Sequence, residues 1–98
     1  MKRGVTLRKE AEKDLEEAFH YYQTCQPGLG REYLQCVEEA LAEIERHPQA
    51  FRCLYKNVRR AFMHRFPYGI YYLAESGQIV ILAVMHARRN PTRWQGRS

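Results

Sequence analysis

Seven consecutive apolar residues, Ile79-Val80-Ile81-Leu82-Ala83-Val84-Met85, constrain this chain's fold more than any other feature. A strand with one wet face alternates apolar and polar side chains, whereas an unbroken run rich in β-branched residues needs cover on both faces. The run predicts an interior strand from Ile79 to His86, and Glu75-Ser76-Gly77-Gln78 before it supplies a turn. That turn and the β-branched content argue against a buried helical turn at the same place.

The rest of the chain divides by period. Ile70-Tyr71-Tyr72-Leu73-Ala74 reads as a strand and Val58 to His64 as another, separated by a break at Phe66-Pro67-Tyr68-Gly69. Val5-Thr6-Leu7, flanked by bases, is a short strand suited to a sheet edge. Between it and Pro48 the spacing is helical. Ala11, Leu15, Ala18, Phe19 and Tyr22 form one stripe, and Tyr33, Leu34, Val37, Ala40, Leu41 and Ile44 form a second over about Leu29 to Arg46. Arg8, Lys9 and Glu10 offer no capping side chain at the start of the first helix. Thr24-Cys25-Gln26-Pro27-Gly28 ends it, and His47-Pro48 stops the second. The order is β-α-α-β-β-β, an α+β fold in which a helical hairpin packs on a small, mainly antiparallel sheet.

The chain's 98 residues make one domain, 1–98, with a single modest core. No run of eighteen apolar residues spans a membrane, and the basic N-terminus lacks the apolar stretch of a secretory signal, so a cytoplasmic protein is expected. Cys25, Cys36 and Cys53 are odd in number and too widely spaced for a zinc knuckle, which predicts three thiols and neither metal nor cofactor. The net charge of +5 is unevenly placed. Residues 1–50 hold seven Lys and Arg against ten acids, a net of −3; residues 51–98 hold nine against Glu75 alone, a net of +8. Eight of those nine are arginines, which suit a planar anionic partner better than lysines do. Charge alone is compatible with a basic nucleic-acid-binding module.

Short motifs in fixed order add to this reading. They are Ala11-x-x-Asp14-Leu15-x-x-Ala18, Pro27-Gly28-Leu29-Gly30, Leu41-x-x-Ile44 before Pro48, and Val58-Arg59. Arg65-Phe66-Pro67-Tyr68-x-Ile70-x-Tyr72, Ile79-x-Ile81-x-Ala83-Val84-x-His86-x-x-Arg89 and Pro91-x-x-Trp94-x-x-Arg97 complete the series. Over about nine-tenths of its length the chain thus resembles the RelE/ParE superfamily of type II toxins. The resemblance implies a growth-inhibiting toxin silenced by a small cognate antitoxin. It also implies one of two targets, mRNA in the ribosomal A site for RelE-like proteins or DNA gyrase for ParE-like ones.

Metal-free RNA cleavage needs a base, an acid and cations around the phosphate. His86 is the candidate acid or base, with Arg65 and Arg89 on phosphate; His64, Tyr71 and Tyr72 are further proton carriers. Each has a structural alternative: a buried hydrogen-bonded His86, a fold-holding Arg65, and one of the two tyrosines in the core. Arg59, Arg60, Arg88, Arg93, Trp94 and Arg97 are the candidate contacts to target or antitoxin. Asn90-Pro91 would start a helical turn that places Arg93 and Arg97 on one side. The RelE-like nucleases of the resembled family carry lysines where this chain has Lys56 and Arg59-Arg60. The Arg65-Phe66-Pro67-Tyr68 and His86-x-x-Arg89 segments look more like the ParE-like branch, which favours gyrase.

Overall fold

The computed structural model describes residues 4–88. Its elements are β1 (Gly4–Leu7), α1 (Lys9–Cys25), α2 (Leu29–Arg46), β2 (Arg52–Tyr55), β3 (Val58–Phe62), β4 (Tyr68–Glu75) and β5 (Gln78–His86). The α+β fold expected from the sequence is present, with one strand more. β2 escapes periodicity because it is four residues long, two exposed and two half-buried, with no alternation. β3 is shorter than expected, ending at Phe62. β4 begins inside the expected break, because the Tyr68 carbonyl accepts a bond from the Met63 N–H at 3.0 Å and Tyr68 stands opposite His86.

The sheet order is β1-β5-β4-β3-β2. β1 runs parallel to β5 and every other pair is antiparallel. The apolar run is therefore interior, as its composition demands. β1, however, covers only its first half, from Gly4 opposite Gln78 to Leu7 opposite Ile81. The β4–β5 hairpin turns through Ser76 (φ 51°) and Gly77 (φ 75°). Two positive φ values give the turn whose twist suits the strands, and Gly tolerates the second without strain.

Both helices cover the same face of the sheet. Ala11 and Ala18 of α1 and Tyr33, Val37, Ala40 and Ile44 of α2 pack with Ala61, Ile70, Tyr72, Ile79, Ile81 and Val84. The far face has its own cluster, in which Val58, Tyr71, Leu82, Ala83 and Met85 are buried. A bulge divides these memberships: Tyr71 faces Ala83 while Tyr72 faces Ile81, so β5 holds one residue more than β4 there. Ile79 and Ile81 face the helices before the bulge, and Val84 does so after it.

α1 starts without a side-chain cap, as its sequence suggests. α2 is capped from a distance. Its N-cap, Gly28, has φ 90° and no side chain, and Gln23 of α1 supplies the acceptor. Gln23 Oε1 accepts from Gly28 N at 3.2 Å and Gly30 N at 3.1 Å, satisfying donors that the helix leaves open. Among the described residues no helix is long and apolar enough to cross a membrane.

Candidate functional site

Arg59 and Arg60 are neighbours on β3, so their side chains leave on opposite faces. Arg59 goes to the helix side and is tied down. Its guanidinium donates to the carbonyls of Phe51 at 2.6 Å and Gln49 at 3.3 Å and to Gln49 Oε1 at 2.8 Å. Its cross-strand neighbour Tyr72 donates to the Pro48 carbonyl at 2.7 Å. Together they bind the loop after α2 to the sheet. Burial raises the Tyr72 hydroxyl to about 12, against the opposing pull of Arg59.

Arg60 goes to the far face. It stands opposite Arg52 on β2 and Tyr71 on β4, and its guanidinium lies 4.3 Å from the centre of the Phe62 ring. Its stem crosses Gly69, where a Cβ would meet Arg60 Cγ and Cδ at 3.1 Å. Phe62 is 49% exposed although it is a large apolar residue. Two like charges directly opposed across strands oppose sheet formation. Arg52 was not among the sequence candidates; only the register of β2, itself illegible, reveals it.

The remaining candidates are spread out. Arg65, after β3, pairs with Glu32 of α2 at 2.8 Å and lies over the Phe66 ring. His64 pairs with Glu43 at 3.5 Å and is well exposed. His86 is half-buried on the helix side, with its ring edge-on to Tyr68 at 5.3 Å. Its Nδ1 accepts from the Arg88 N–H at 3.1 Å, so in the neutral ring Nε2 carries the proton. Arg88 is exposed. Tyr71 and Tyr72 are both buried, one in each cluster. Arg89, Arg93, Trp94 and Arg97, and the expected turn at Asn90-Pro91, lie outside the described residues.

Beside His86 is a cleft of about 400 Å³ between α1 and the part of β5 beyond β1. Asp14, Glu17, Tyr21 and Tyr22 line it from the helix, and Tyr68 and His86 from the strands. Asp14 Oδ2 accepts from the Val84 N–H at 3.0 Å, pinning α1 to β5. The place of Asp14 in the sequence, three after Ala11 and four before Ala18, puts a carboxylate on the buried face. Such a group needs a partner. Tyr22 and Tyr68 also join Tyr33 and Phe66 in an aromatic cluster with ring centres 4.8–6.1 Å apart. Burial, then Tyr68, raises the Tyr22 hydroxyl to about 12, and burial raises Tyr33 as well. The Tyr33 hydroxyl is buried with no hydrogen-bond partner.

Cys25 and Cys53 are exposed and Cys36 buried, all as thiols. Among the described residues no three His, Cys, Asp or Glu side chains converge as metal ligands do.

Comparison with known proteins sets this geometry in a family. Residues 5–91 match the family model of the ParE toxin of the type II toxin–antitoxin system, parDE. Toxin ParE2 of Mycobacterium tuberculosis is 35% identical over 92 residues, covering 93% of this chain and 88% of the relative. The sheet and hairpin superpose on the chromosomal ParDE system of P. aeruginosa with a TM-score of 0.77 at 18% identity, covering 86% of this chain and 95% of that one. They superpose on the toxin–antitoxin complex RelBE2 of M. tuberculosis with a TM-score of 0.61 at 22% identity, covering 88% and 99%. These two likenesses bear on fold, while the family model and the closer sequence relative bear on kind. The chain belongs to the ParE toxin family of type II toxin–antitoxin systems, within the RelE/ParE superfamily.

Proposed function

We propose that this toxin arrests growth by binding DNA gyrase through the far face of its sheet, and that it is not a nuclease. The observation carrying this reading is the opposed pair Arg52 and Arg60 beside exposed Phe62. A like-charge pair that weakens the sheet is explained by an anionic partner surface that neutralises it. Arginine and aromatic side chains are also the residues that dominate protein interfaces. Cleavage would need proton carriers beside the cations that hold phosphate. His86 lies on the helix side, away from Arg52 and Arg60, and Arg65 is engaged by Glu32.

The two solved neighbours come from toxin–antitoxin systems, and a small antitoxin is the controlling partner proposed here. An acidic amphipathic segment covering the arginine face fits the charge of residues 51–98. The direct test measures supercoiling by purified gyrase with increasing toxin, beside primer extension on ribosome-bound mRNA. Inhibition that is lost in Arg60→Ala and Phe62→Ala is expected. Normal supercoiling at saturating toxin, or codon-positioned cuts that vanish in His86→Ala, would overturn the reading.

A further inference from the structure

We propose that the last residues of β3 pair with an extended segment of the antitoxin whose side chains run apolar, acidic, apolar. This rests on the antitoxin reading above and names the contact by which the antitoxin takes the arginine face from gyrase.

β3 outruns its outer neighbour. β2 begins at Arg52, opposite Arg60, so Ala61 and Phe62 lie beyond it. Backbone groups alternate in direction along a strand. Met63 donates its N–H to the Tyr68 carbonyl at 3.0 Å, and Ala61, two residues earlier, stands opposite Ile70. Both turn their backbone groups to β4, and Phe62 between them turns its N–H and C=O outward. No backbone bond between described residues meets Phe62 from that side. Such an edge is a template for one more strand.

On the helix side of this edge is a groove of about 370 Å³ between α2 and β3. Ala40, Phe51, Ala61, Phe62 and Met63 give it an apolar lining. Its two polar residues, Glu43 and His64, are engaged with each other at 3.5 Å. The far side carries positive charge at the same place. The Arg60 guanidinium lies 4.3 Å from the centre of the Phe62 ring, so its charge sits over the end of β3. Among the described residues neither Arg52 nor Arg60 is in an ion pair, and residues 1–3 and 89–98 contain no Asp or Glu.

The two sides dictate the sequence of an added strand. Its residue opposite Phe62 shares the face of Phe62 and stands beside Arg60, where an acid is favoured and a base is opposed. The residues before and after it point the other way, into the groove. Apolar side chains suit that lining, whereas a charge would be desolvated there. One short segment thus meets both faces at once. It covers Arg60 and Phe62, the surface assigned above to gyrase, so antitoxin and gyrase exclude one another.

The test titrates the whole toxin with acetyl-Thr-Val-Glu-Val-Thr amide and follows the Phe62 and Met63 amide signals by NMR. One control peptide carries lysine in place of glutamate. Another has the glutamate nitrogen methylated, which removes the N–H that would donate to the Phe62 carbonyl. Saturable shifts are expected, with binding about tenfold weaker for either control. Arg60→Glu toxin should reverse the charge preference and bind the lysine peptide more tightly. The methylated peptide needs no change to the toxin, so that comparison holds even if the variant misfolds. Equal binding of the methylated peptide, no saturable shift, or an unreversed preference in folded Arg60→Glu toxin overturns the proposal. With the neighbouring gene's product as antitoxin, hydrogen exchange at the Phe62 amide should slow at least about tenfold in the complex. If the antitoxin binds while that exchange changes by less than about twofold, the strand proposal fails and the antitoxin reading stands. If no antitoxin binds at all, that reading fails, and the peptide titration still decides the strand.

Discussion

The two faces of this sheet treat adjacent arginines in opposite ways. On the helix face Arg59 makes three hydrogen bonds and holds the loop after α2. On the far face Arg60 meets another arginine and an exposed phenylalanine. The same residue type, one position apart, is structural in one case and held against electrostatic cost in the other. An arginine-rich segment thus cannot be read as one functional surface; strand parity has to sort it first.

The sharpest way to break this comparison is Arg59→Ala. Losing the bonds to two carbonyls and a carboxamide is expected to cost about 3 kcal/mol, which lowers Tm by roughly 12–20 °C in a domain of this size. A change in toxicity without loss of Tm would move Arg59 to the binding surface. Alkaline pH probes the same anchor through Tyr72. Its hydroxyl titrates at about 12 when folded and near 10.0 when unfolded. The stability this confers is complete below pH 10 and is lost as pH rises through 12. The loss is about 2–3 kcal/mol. Urea unfolding between pH 9 and 12 should show the fall, and Tyr72→Phe should remove this share of it while the share from Tyr22 and Tyr33 remains.

Smaller effects separate the two helices. Asp14→Ala removes the acceptor for Val84 N–H and should cost about 1–3 kcal/mol, with faster hydrogen exchange at Val84. Asp14→Asn keeps an acceptor and should retain most of that stability. Gln23→Ala leaves the N-terminus of α2 without its borrowed cap and should cost about 1 kcal/mol. The smallest expected change completes the comparison: Arg60→Ala should leave unfolding within about 0.5 kcal/mol of the native chain while weakening growth arrest. If Arg60→Ala is as destabilising as Arg59→Ala, the division between the faces fails.

Local pattern announced the elements whose burial is regular. Both helices follow from stripes at i, i+3 and i+4 and from Pro-Gly punctuation, and β5 follows from an apolar run that only an interior strand can carry. β2 did not announce itself, because a four-residue edge strand buries too little to impose a period. The site was less legible than the fold. Arginine content pointed to the second half of the chain, but cross-strand register decides which arginines face which way, and register depends on the bulge and on β2. The cap from Gln23, the anchor from Asp14 and the acidic cleft all arise between segments distant in sequence. Of these only Asp14 left a trace, a carboxylate in an apolar stripe.

The extra residue in β5 acts as a change of phase. Before it odd-numbered side chains meet the helices, and after it even-numbered ones do, so Val84 and His86 share the layer of Ile79 and Ile81. A relative one residue shorter here would keep the same strand and the same neighbouring strands. Its alternation would then be unbroken, and a histidine aligned with His86 would still stand beside α1. What the extra residue adds is on the far face, where Leu82 and Ala83 stand side by side and both are buried. An insertion of one residue can thus enlarge the apolar layer on one side of a sheet while the side chains at the strand's end keep their side.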